Sequence, residues 1–453
     1  MNKQYLKKLM IIAVPIMLSN VISQLQMIID RIFLGQMNKL YMSALGNVTS
    51  PMWTTMSFCF TIVMGASILI SQSVGAGDDE KVESYAASMV KWNNIVPILL
   101  FFFWIFFGET VFRAMGVSEN VMPLCLGYMR FFAPTFLIVG IESSFSVIMQ
   151  TSNYTKPLVF YGIVRAGLNI LLDWILIFGR FGFPQMGIEG AAIATTIAEY
   201  GGCLFAFAVV LSNRSLKTKP SMKAVIKAPL KPFLASVGLG INAALEDFAW
   251  NFGNLVLIKI LNSINEMAAG IYSIVFSVEV LVVVMIGAIG SGTMTLSGEA
   301  RGRGDLKQFG GVCKIAYILC AAIAAVTLVV CLLIPQQILA LFTTEEEIIT
   351  GCGIYLILVC IKLYGKSGNI IIGSGIRGSG DTRWMFFTQI FGTFLVIGCA
   401  CLFVYGFGLG ITGVFIAVIV DEGLRAVINL FRLRKIMRNW DSVTPDSSPS
   451  AAE

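Results

Sequence analysis

A stripe of polar residues interrupts the first apolar stretch of the sequence. Its members are spaced four, three and four residues apart and are Ser19, Ser23, Gln26 and Asp30. On an α-helix this spacing puts them all on one face. A carboxylate is costly inside a hydrocarbon layer and calls for a partner, a water-filled cavity or a functional role. The stripe therefore predicts a helix face that is directed to a polar interior.

A second polar stripe, in the fifth apolar stretch, offers a cation, an amide and a carboxylate on successive helical turns. Arg165, Asn169 and Asp173 follow one another at four-residue intervals and so share a helix face. Thr195 adds a hydroxyl from the next apolar stretch. Such oxygen atoms are hard ligands that suit Na⁺, and carboxyl groups can instead hold protons. We predict a cation site formed by Asp30, Asn169, Asp173 and Thr195.

Proton coupling in this chain would have to use a carboxyl group. The sequence contains no histidine, which is the usual proton exchanger near neutral pH. The alternative is a structural ion pair for each acid, of Asp30 with Arg31 and of Asp173 with Arg165. Adjacent helical residues point about 100° apart, and Arg165 lies about two turns from Asp173. Ion or proton binding is therefore the favoured interpretation.

The second half of the chain carries a different set of charges within its apolar stretches: Glu246, Asp247, Glu279, Lys362 and Lys366. Their signs leave two interpretations open, namely ion pairs within that half or contacts to a substrate. A lysine that faces a substrate cavity would favour an anionic group. The candidate substrate contacts are Gln26, Met27, Arg165, Glu246, Asp247, Lys362 and Lys366.

The elements that must position these side chains are membrane-spanning helices. Of the 453 residues, 57% are hydrophobic and only 13% are charged, which exceeds what a soluble core needs. Apolar stretches of 18 or more residues, enough to cross a hydrocarbon layer of about 30 Å, begin near residues 9, 52, 92, 126, 157, 188, 232, 267, 312, 349, 385 and 410. Long continuous runs indicate helices rather than a barrel. We predict an all-α integral membrane protein with twelve transmembrane helices.

The sequence contains one membrane unit twice. Gly75-Ala76-Gly77-Asp78 returns as Gly302-Arg303-Gly304-Asp305, and Ser152, Thr155 and Lys156 have counterparts at the same offset in Ser379, Thr382 and Arg383. The predicted organisation is a six-helix lobe (1–211), a basic cytoplasmic linker (212–231), a second six-helix lobe (232–438) and a disordered tail (439–453). Two repeated membrane halves that rock about a cleft between them are typical of transporters.

Lysine and arginine concentrate in alternate loops, including the segment from Arg214 to Lys231. This pattern predicts cytoplasmic termini in a plasma or inner membrane, and it explains the net charge of +6 without nucleic-acid binding. The ten cysteines have no metal-ligand spacing and read as buried thiols. Gly302-Arg303-Gly304-Asp305 lacks the lysine and hydroxyl residue of a nucleotide-binding loop. We predict neither an enzyme nor a cofactor.

The chain resembles the multidrug and toxic compound extrusion (MATE) transporters across essentially all of its apolar stretches. The matching stretches are Ala13-Val14-Pro15, Asp30, Gly75–Asp78, Gln150–Pro157, Leu168–Asp173, Gly187–Thr195 and Arg377–Arg383. The resemblance implies two lobes in a V around a central cleft, and antiport of organic compounds against Na⁺ or H⁺ by alternating access. It also implies that Asp30, Asn169, Asp173 and Thr195 occupy the cation-site positions of the prokaryotic DinF-like branch.

The implied partners are small organic substrates and membrane lipid, with a monomer as the expected state. A flippase for lipid-linked saccharides is the alternative, because related transporters of that kind have a basic cavity, which Arg165, Lys362 and Lys366 would suit. The acidic first half and the lack of further apolar stretches favour the antiporter. A channel or a receptor has little support, since the sequence shows neither a filter motif nor a soluble domain.

Overall fold

The computed structural model describes residues 3–213, 215–264, 267–341 and 345–440. The predicted disorder of Asp441–Glu453 and the position of Arg214 lie outside these residues. No β-strand occurs in the described part of the chain. The first half contains α1 (Lys3–Met37), α2 (Lys39–Ala76), α3 (Asp79–Trp92), α4 (Ile95–Ala114), α5 (Met122–Phe132), α6 (Phe136–Thr151), α7 (Lys156–Leu176), α8 (Gly187–Ser212) and α9 (Met222–Lys227).

The second half continues with eight further helices. They are α10 (Leu230–Ile264), α11 (Ala268–Arg303), α12 (Leu306–Leu333), α13 (Pro335–Ala340), α14 (Glu346–Gly351), α15 (Gly353–Gly378), α16 (Thr382–Cys401) and α17 (Gly410–Arg438). Ten helical segments in the described residues are long and apolar enough to cross a membrane, which confirms an all-α membrane protein. The long helices α10 and α17 are not among those ten, so the count of twelve spans stays a prediction.

The chain forms two compact units. The amino-terminal unit comprises Val14–Ile70 and Asp78–Ile241, and the carboxy-terminal unit comprises the described residues of Met1–Ala13, Ser71–Gly77 and Asn242–Glu453. Each unit has its own apolar core. Met52, Trp104 and Phe136 pack in the first, and side chains such as Leu261 and Val275 pack in the second.

The segment predicted as a linker is packed against the amino-terminal unit. The Lys91 Nζ donates hydrogen bonds to the carbonyl oxygens of Ile226 (2.7 Å) and Ala228 (3.1 Å). Trp92 Nε1 also donates to the Ala228 oxygen, at 3.2 Å. At the other end of the chain, Trp440 lies against Phe309, and its indole N–H donates to the carbonyl oxygen of Gly304. The described structure therefore includes Asn439 and Trp440, the first two residues of the predicted tail.

Each of the three residues that the two copies of the motif share has its own structural role. Its second glycine ends a helix in the left-handed conformation, with φ of 72° at Gly77 and 74° at Gly304, which glycine adopts without a Cβ clash. Its aspartate caps the following helix. Asp78 accepts from the backbone N–H of Lys81, and Asp305 accepts from that of Gln308 at 2.8 Å. The hydrogen bond from Lys81 lowers the pKa of Asp78, which lies between α2 and α3.

The first glycine of the motif serves helix packing inside the carboxy-terminal unit. A Cβ at Gly75 would lie 2.0 Å from the carbonyl oxygen of Glu299, and a Cβ at Gly302 would lie 1.8 Å from that of Gln72. Both distances are far inside van der Waals contact, and both neighbours are backbone atoms. The end of α2 and the end of α11 therefore cross with their backbones in contact, each at its own copy of the motif.

The cap of α12 gives a stability prediction. Asp305→Ala should lower the free energy of unfolding by about 1 kcal/mol, because the N–H of Gln308 loses its acceptor at the helix start. Asp305→Asn should leave stability nearly unchanged, since an amide oxygen caps about as well as a carboxylate. Thermal melting of the two purified variants beside the wild type measures the difference. Equal melting temperatures for Ala and Asn would show that the side chain contributes no cap.

Candidate cation site

Four residues that the sequence analysis selected converge inside the amino-terminal unit. Asn169 and Asp173 lie on α7 and are completely buried. Asp30 approaches them from α1 and Thr195 from α8. In one orientation of the Asn169 amide, Nδ2 donates to Thr195 Oγ1 at 3.3 Å. In the reversed orientation, Nδ2 donates to Asp30 Oδ1 at 2.8 Å and to Asp173 Oδ2 at 3.3 Å, while Oδ1 accepts from Thr195.

The two aspartates lie within hydrogen-bonding reach of each other. Two carboxyl groups form such a bond only when one of them carries a proton. Two ionised carboxylates at this separation repel each other unless a cation lies between them. Asp173 Oδ1 is buried and has no hydrogen-bond partner among the described residues. The arrangement can therefore hold a proton or a small cation, and it is electrostatically incomplete without one.

The two orientations of the Asn169 amide would suit two states of the aspartates. With an empty, ionised pair, the amide N–H groups would face the carboxylates and stabilise them. A cation between the aspartates would instead attract the amide oxygen, which then joins the carboxylate and hydroxyl oxygens as a ligand. The amide atom of Asn169 that faces Asp30 also lies 2.8 Å from Gln26 Nε2 of α1, which can donate to it when that atom is the oxygen. The site thus has a neutral group that can turn between donor and acceptor.

A cavity of about 150 Å³ adjoins these residues within the amino-terminal unit. Asp30, Gln26 and Thr195 line it, whereas the fully buried Asp173 and Asn169 lie behind them. The rest of the lining combines sulfur, aromatic and charged groups, among them Met27, Trp53, Met56, Tyr128, Phe132, Arg165 and Glu199. An ion could therefore reach Asp173 through Asp30, which faces the cavity.

Arg165 pairs with Glu199, a residue that the sequence analysis missed. Its Nη1 lies 3.0 Å from Glu199 Oε1 and 3.3 Å from Oε2, and its Nη2 donates to Ser23 Oγ. This pair replaces the simple alternative in which Arg165 neutralises Asp173. The signal was present in the sequence, because Glu199 follows Thr195 by four residues and so shares its helix face.

The sequence analysis also missed a second acid, Glu142, which belongs to the network around Arg165. Glu142, on α6, is buried and accepts a hydrogen bond from the hydroxyl of Tyr161. The guanidinium of Arg165 lies 5.6 Å from the centre of the Tyr161 ring. One arginine therefore serves a network that contains two acids, Glu142 and Glu199. The signal that could have found Glu142 is its four-residue spacing from Ser146 and Gln150, which places the three on one face of α6.

Ion pairs within the carboxy-terminal unit involve Glu246, Glu279, Lys362 and Lys366. Lys362 pairs with Glu279, and Lys366 Nζ lies 3.4 Å from Glu279 Oε1. The predicted pairing of the lysines with an acid of the preceding helices is therefore present. Glu246 pairs with Arg377. Lys362 and Lys366 line a cavity of about 40 Å³, and among the described residues that line it Glu246 and Asp247 do not occur.

An all-helical membrane chain that holds paired acids beside a polar cavity has the features of a secondary transporter. The family model described as MatE matches residues 15–175 and 243–402. The chain belongs to the MATE family, the multidrug and toxic compound extrusion transporters. Membership confirms the predicted efflux transporter and the absence of an enzymatic role, and it disfavours the flippase alternative.

Similar proteins cover nearly the whole chain. An uncharacterized transporter, YisQ, of Bacillus subtilis is 25% identical over 416 residues, which are 91% of this chain and 90% of that protein. The probable multidrug resistance protein NorM of Thermotoga maritima is 26% identical over 441 residues, or 94% and 91% of the two chains. A solved MATE transporter of the MOP superfamily in its outward-facing conformation shares the fold, with a TM-score of 0.89 at 20% identity over 96% of this chain and 97% of that one.

Proposed function

We propose that this protein exports small organic compounds in exchange for a monovalent cation that binds at Asp30, Asn169, Asp173 and Thr195. The observation that carries the proposal is the contact between the buried Asp173 and Asp30, bridged by Asn169. Na⁺ and H⁺ would use the same oxygen atoms and would therefore compete. Related proteins named as multidrug resistance proteins support the substrate class.

Coupling would follow from the charge of this site. With both aspartates ionised, the cavity wall is more negative and attracts a cationic or polarised compound. When Na⁺ or H⁺ binds, that charge falls, and the compound loses part of its attraction to the wall. A site that binds two ligands with unequal preference links their movements through one free-energy difference. Ion entry would thus favour release of the exported compound.

The proposed substrate contacts in the amino-terminal unit are Gln26, Met27 and Arg165, which line the cavity of about 150 Å³. Drug-sized pockets are usually about 300–1,000 Å³, so this cavity would take only part of a compound. Methionine and aromatic side chains adapt to different shapes. Glu246, Asp247, Lys362 and Lys366 stay predictions as substrate contacts, and their ion pairs offer a structural role for at least the two lysines.

The proposed setting is a plasma or inner membrane, with both termini in the cytoplasm and a monomer as the transporting form. The loop lysines support this orientation by the positive-inside rule. The DinF-like branch remains our prediction from the cation-site residues.

Transport in proteoliposomes tests the proposal. Na⁺ and pH gradients are imposed separately on vesicles that contain the purified protein, with one cationic, one neutral and one anionic fluorescent dye. We expect dye movement to follow at least one gradient and to stop when both are collapsed. The ion that does not drive transport should slow it, because it competes for the same oxygens. Dye movement that persists unchanged without either gradient would contradict the proposal.

A further inference from the structure

A second group of buried charges lies in the carboxy-terminal unit, and its sum is zero. Three helices together contribute three acidic and three basic side chains. Their members are Glu279 on α11, Lys362 and Lys366 on α15, and Asp421, Glu422 and Arg425 on α17. A buried cluster of this kind is stable only when each charge is compensated by a neighbour. The distances within the ion pairs show that one of the six residues, Lys366, is held more loosely than the others.

Five of the six charges are held closely. Lys362 is 4% exposed and pairs with Glu279. Arg425 donates to both carboxylate oxygens of Asp421 at 2.8 Å and lies 3.3 Å from Glu422. Glu422 also accepts from Asn369 Nδ2 at 2.6 Å. These close charge-assisted contacts fix the side chains that make them.

Lys366 is the exception. Its ammonium group lies between two carboxylates, 3.4 Å from Glu279 Oε1 and 3.8 Å from Glu422 Oε1. Both distances exceed a direct hydrogen bond. Its side chain is the most exposed of the six, at 14%, and it lines the cavity of about 40 Å³ beside Trp250. Lys366 therefore neutralises the two acids through charge, without being locked to either.

The acid that faces this ammonium has an unused oxygen. Glu279 is 1% exposed, and its Oε1 has no hydrogen-bond partner among the described residues. The Nζ of Lys366 lies 3.4 Å from that oxygen. A buried carboxylate oxygen with no donor is costly, and a small cation placed next to it would remove the cost. The geometry thus has the form of a cation site in which the cation is tethered.

We infer that Glu279 and Glu422 form a second site for a monovalent cation, and that the ammonium group of Lys366 is its resident cation. The tethered group excludes Na⁺ from the two carboxylates in the native protein, because a second positive charge beside it would be repelled. Ion exchange is then left to other sites. Removing the ammonium should open the site, since the cluster would keep both acids but lose one compensating charge.

Binding of ²²Na⁺ to purified protein tests this inference. Lys366→Met is made in an Asp173→Asn background, which removes the aspartate pair of the amino-terminal unit from the measurement. Binding is measured at about pH 8.5, where exposed carboxyl groups are ionised. We expect little Na⁺ binding to Asp173→Asn and near-stoichiometric binding to Asp173→Asn/Lys366→Met. Adding Glu422→Gln to the double variant should remove the gain.

Two further variants control for folding and for nonspecific effects of losing a lysine. Lys366→Gln keeps hydrogen-bonding capacity without charge, and it should gain Na⁺ binding as well. It replaces Lys366→Met in the test if Met at this position prevents folding. Lys314→Met removes an exposed lysine of α12 and should gain nothing. Elution as a single species in size-exclusion chromatography establishes that each variant is folded.

Three results would overturn the inference. The first is a folded Lys366 variant that binds no additional Na⁺. This includes a variant in which a carboxyl group of the cluster takes up a proton instead of Na⁺. The second is a gain in the Lys314→Met control. The third is Na⁺ binding by Asp173→Asn alone that disappears with Glu422→Gln, because the site would then be open while Lys366 is present. None of these results depends on whether dye transport follows an ion gradient, so the proposed function is tested separately.

Discussion

Asp173→Asn should abolish ion-driven transport while the protein still inserts and folds. Asp173 is fully buried, it contacts Asp30, and one of its oxygens has no hydrogen-bond partner among the described residues. An amide fills the same space but neither releases a proton nor neutralises a cation. Without a group that can take up and release the coupling ion, the initial rate of gradient-driven dye transport should fall to that of vesicles without protein.

The matched control is Asp305→Asn, which makes the same chemical change at the start of α12, where an amide still caps the helix. Its transport rate should equal that of the wild type. Both variants are reconstituted at equal density, and initial rates are compared under imposed Na⁺ and pH gradients. Wild-type coupled transport by Asp173→Asn would rule out the aspartate pair as the coupling site. Loss of transport in both variants would indicate a nonspecific effect of purification or reconstitution rather than a specific role of Asp173.

Gly302→Ala should destabilise the protein more than any surface change. The added Cβ would lie 1.8 Å from the carbonyl oxygen of Gln72, and its next neighbours are backbone atoms as well. Backbone cannot move aside as the end of a flexible side chain does, so the end of α11 would have to separate from the end of α2. Overpacking of this kind costs about 3 kcal/mol. Gly75→Ala should act alike, since its Cβ would lie 2.0 Å from the oxygen of Glu299.

Gly287→Ala is the control on the same helix. Apart from its own helix backbone and chain neighbours, a Cβ at Gly287 has no heavy atom of the described residues within 4 Å. Alanine also favours a helix over glycine by about 1 kcal/mol. Its melting temperature in detergent should equal or exceed that of the wild type, whereas Gly302→Ala and Gly75→Ala should melt lower and give less monodisperse protein. If Gly302→Ala melted at the wild-type temperature, the close crossing of α2 and α11 would be wrong.

The candidate site shows how far helical periodicity can lead. The four-residue intervals of Arg165, Asn169 and Asp173 depend only on the geometry of one helix, and the cost of a charge in hydrocarbon singles out Asp30. These local rules selected residues that the structure brings together. Glu199 obeys the same rule, because it follows Thr195 by four residues on α8.

Other features could not be read from one helix at a time. The sequence identified Lys362 and Lys366 as unusual charges, but the looser position of Lys366 depends on Glu422, which lies on a different helix. The sequence likewise showed that Gly75 and Gly302 are repeated. It did not show that each packs against backbone just before the other copy of the motif, at Gln72 and Glu299, because that contact depends on where two helices cross.

The sequence alone therefore determined the membrane class, the helical fold, the repeat and the family resemblance, as well as the helix faces that carry polar groups. These properties follow from composition and from the period of the α-helix, both of which are local. Only the tertiary structure decided which acid pairs with which base, which oxygens lack a donor, and which glycines lie at crossings. Those properties depend on the rotation and register of separate helices, and helical periodicity within one segment does not fix either.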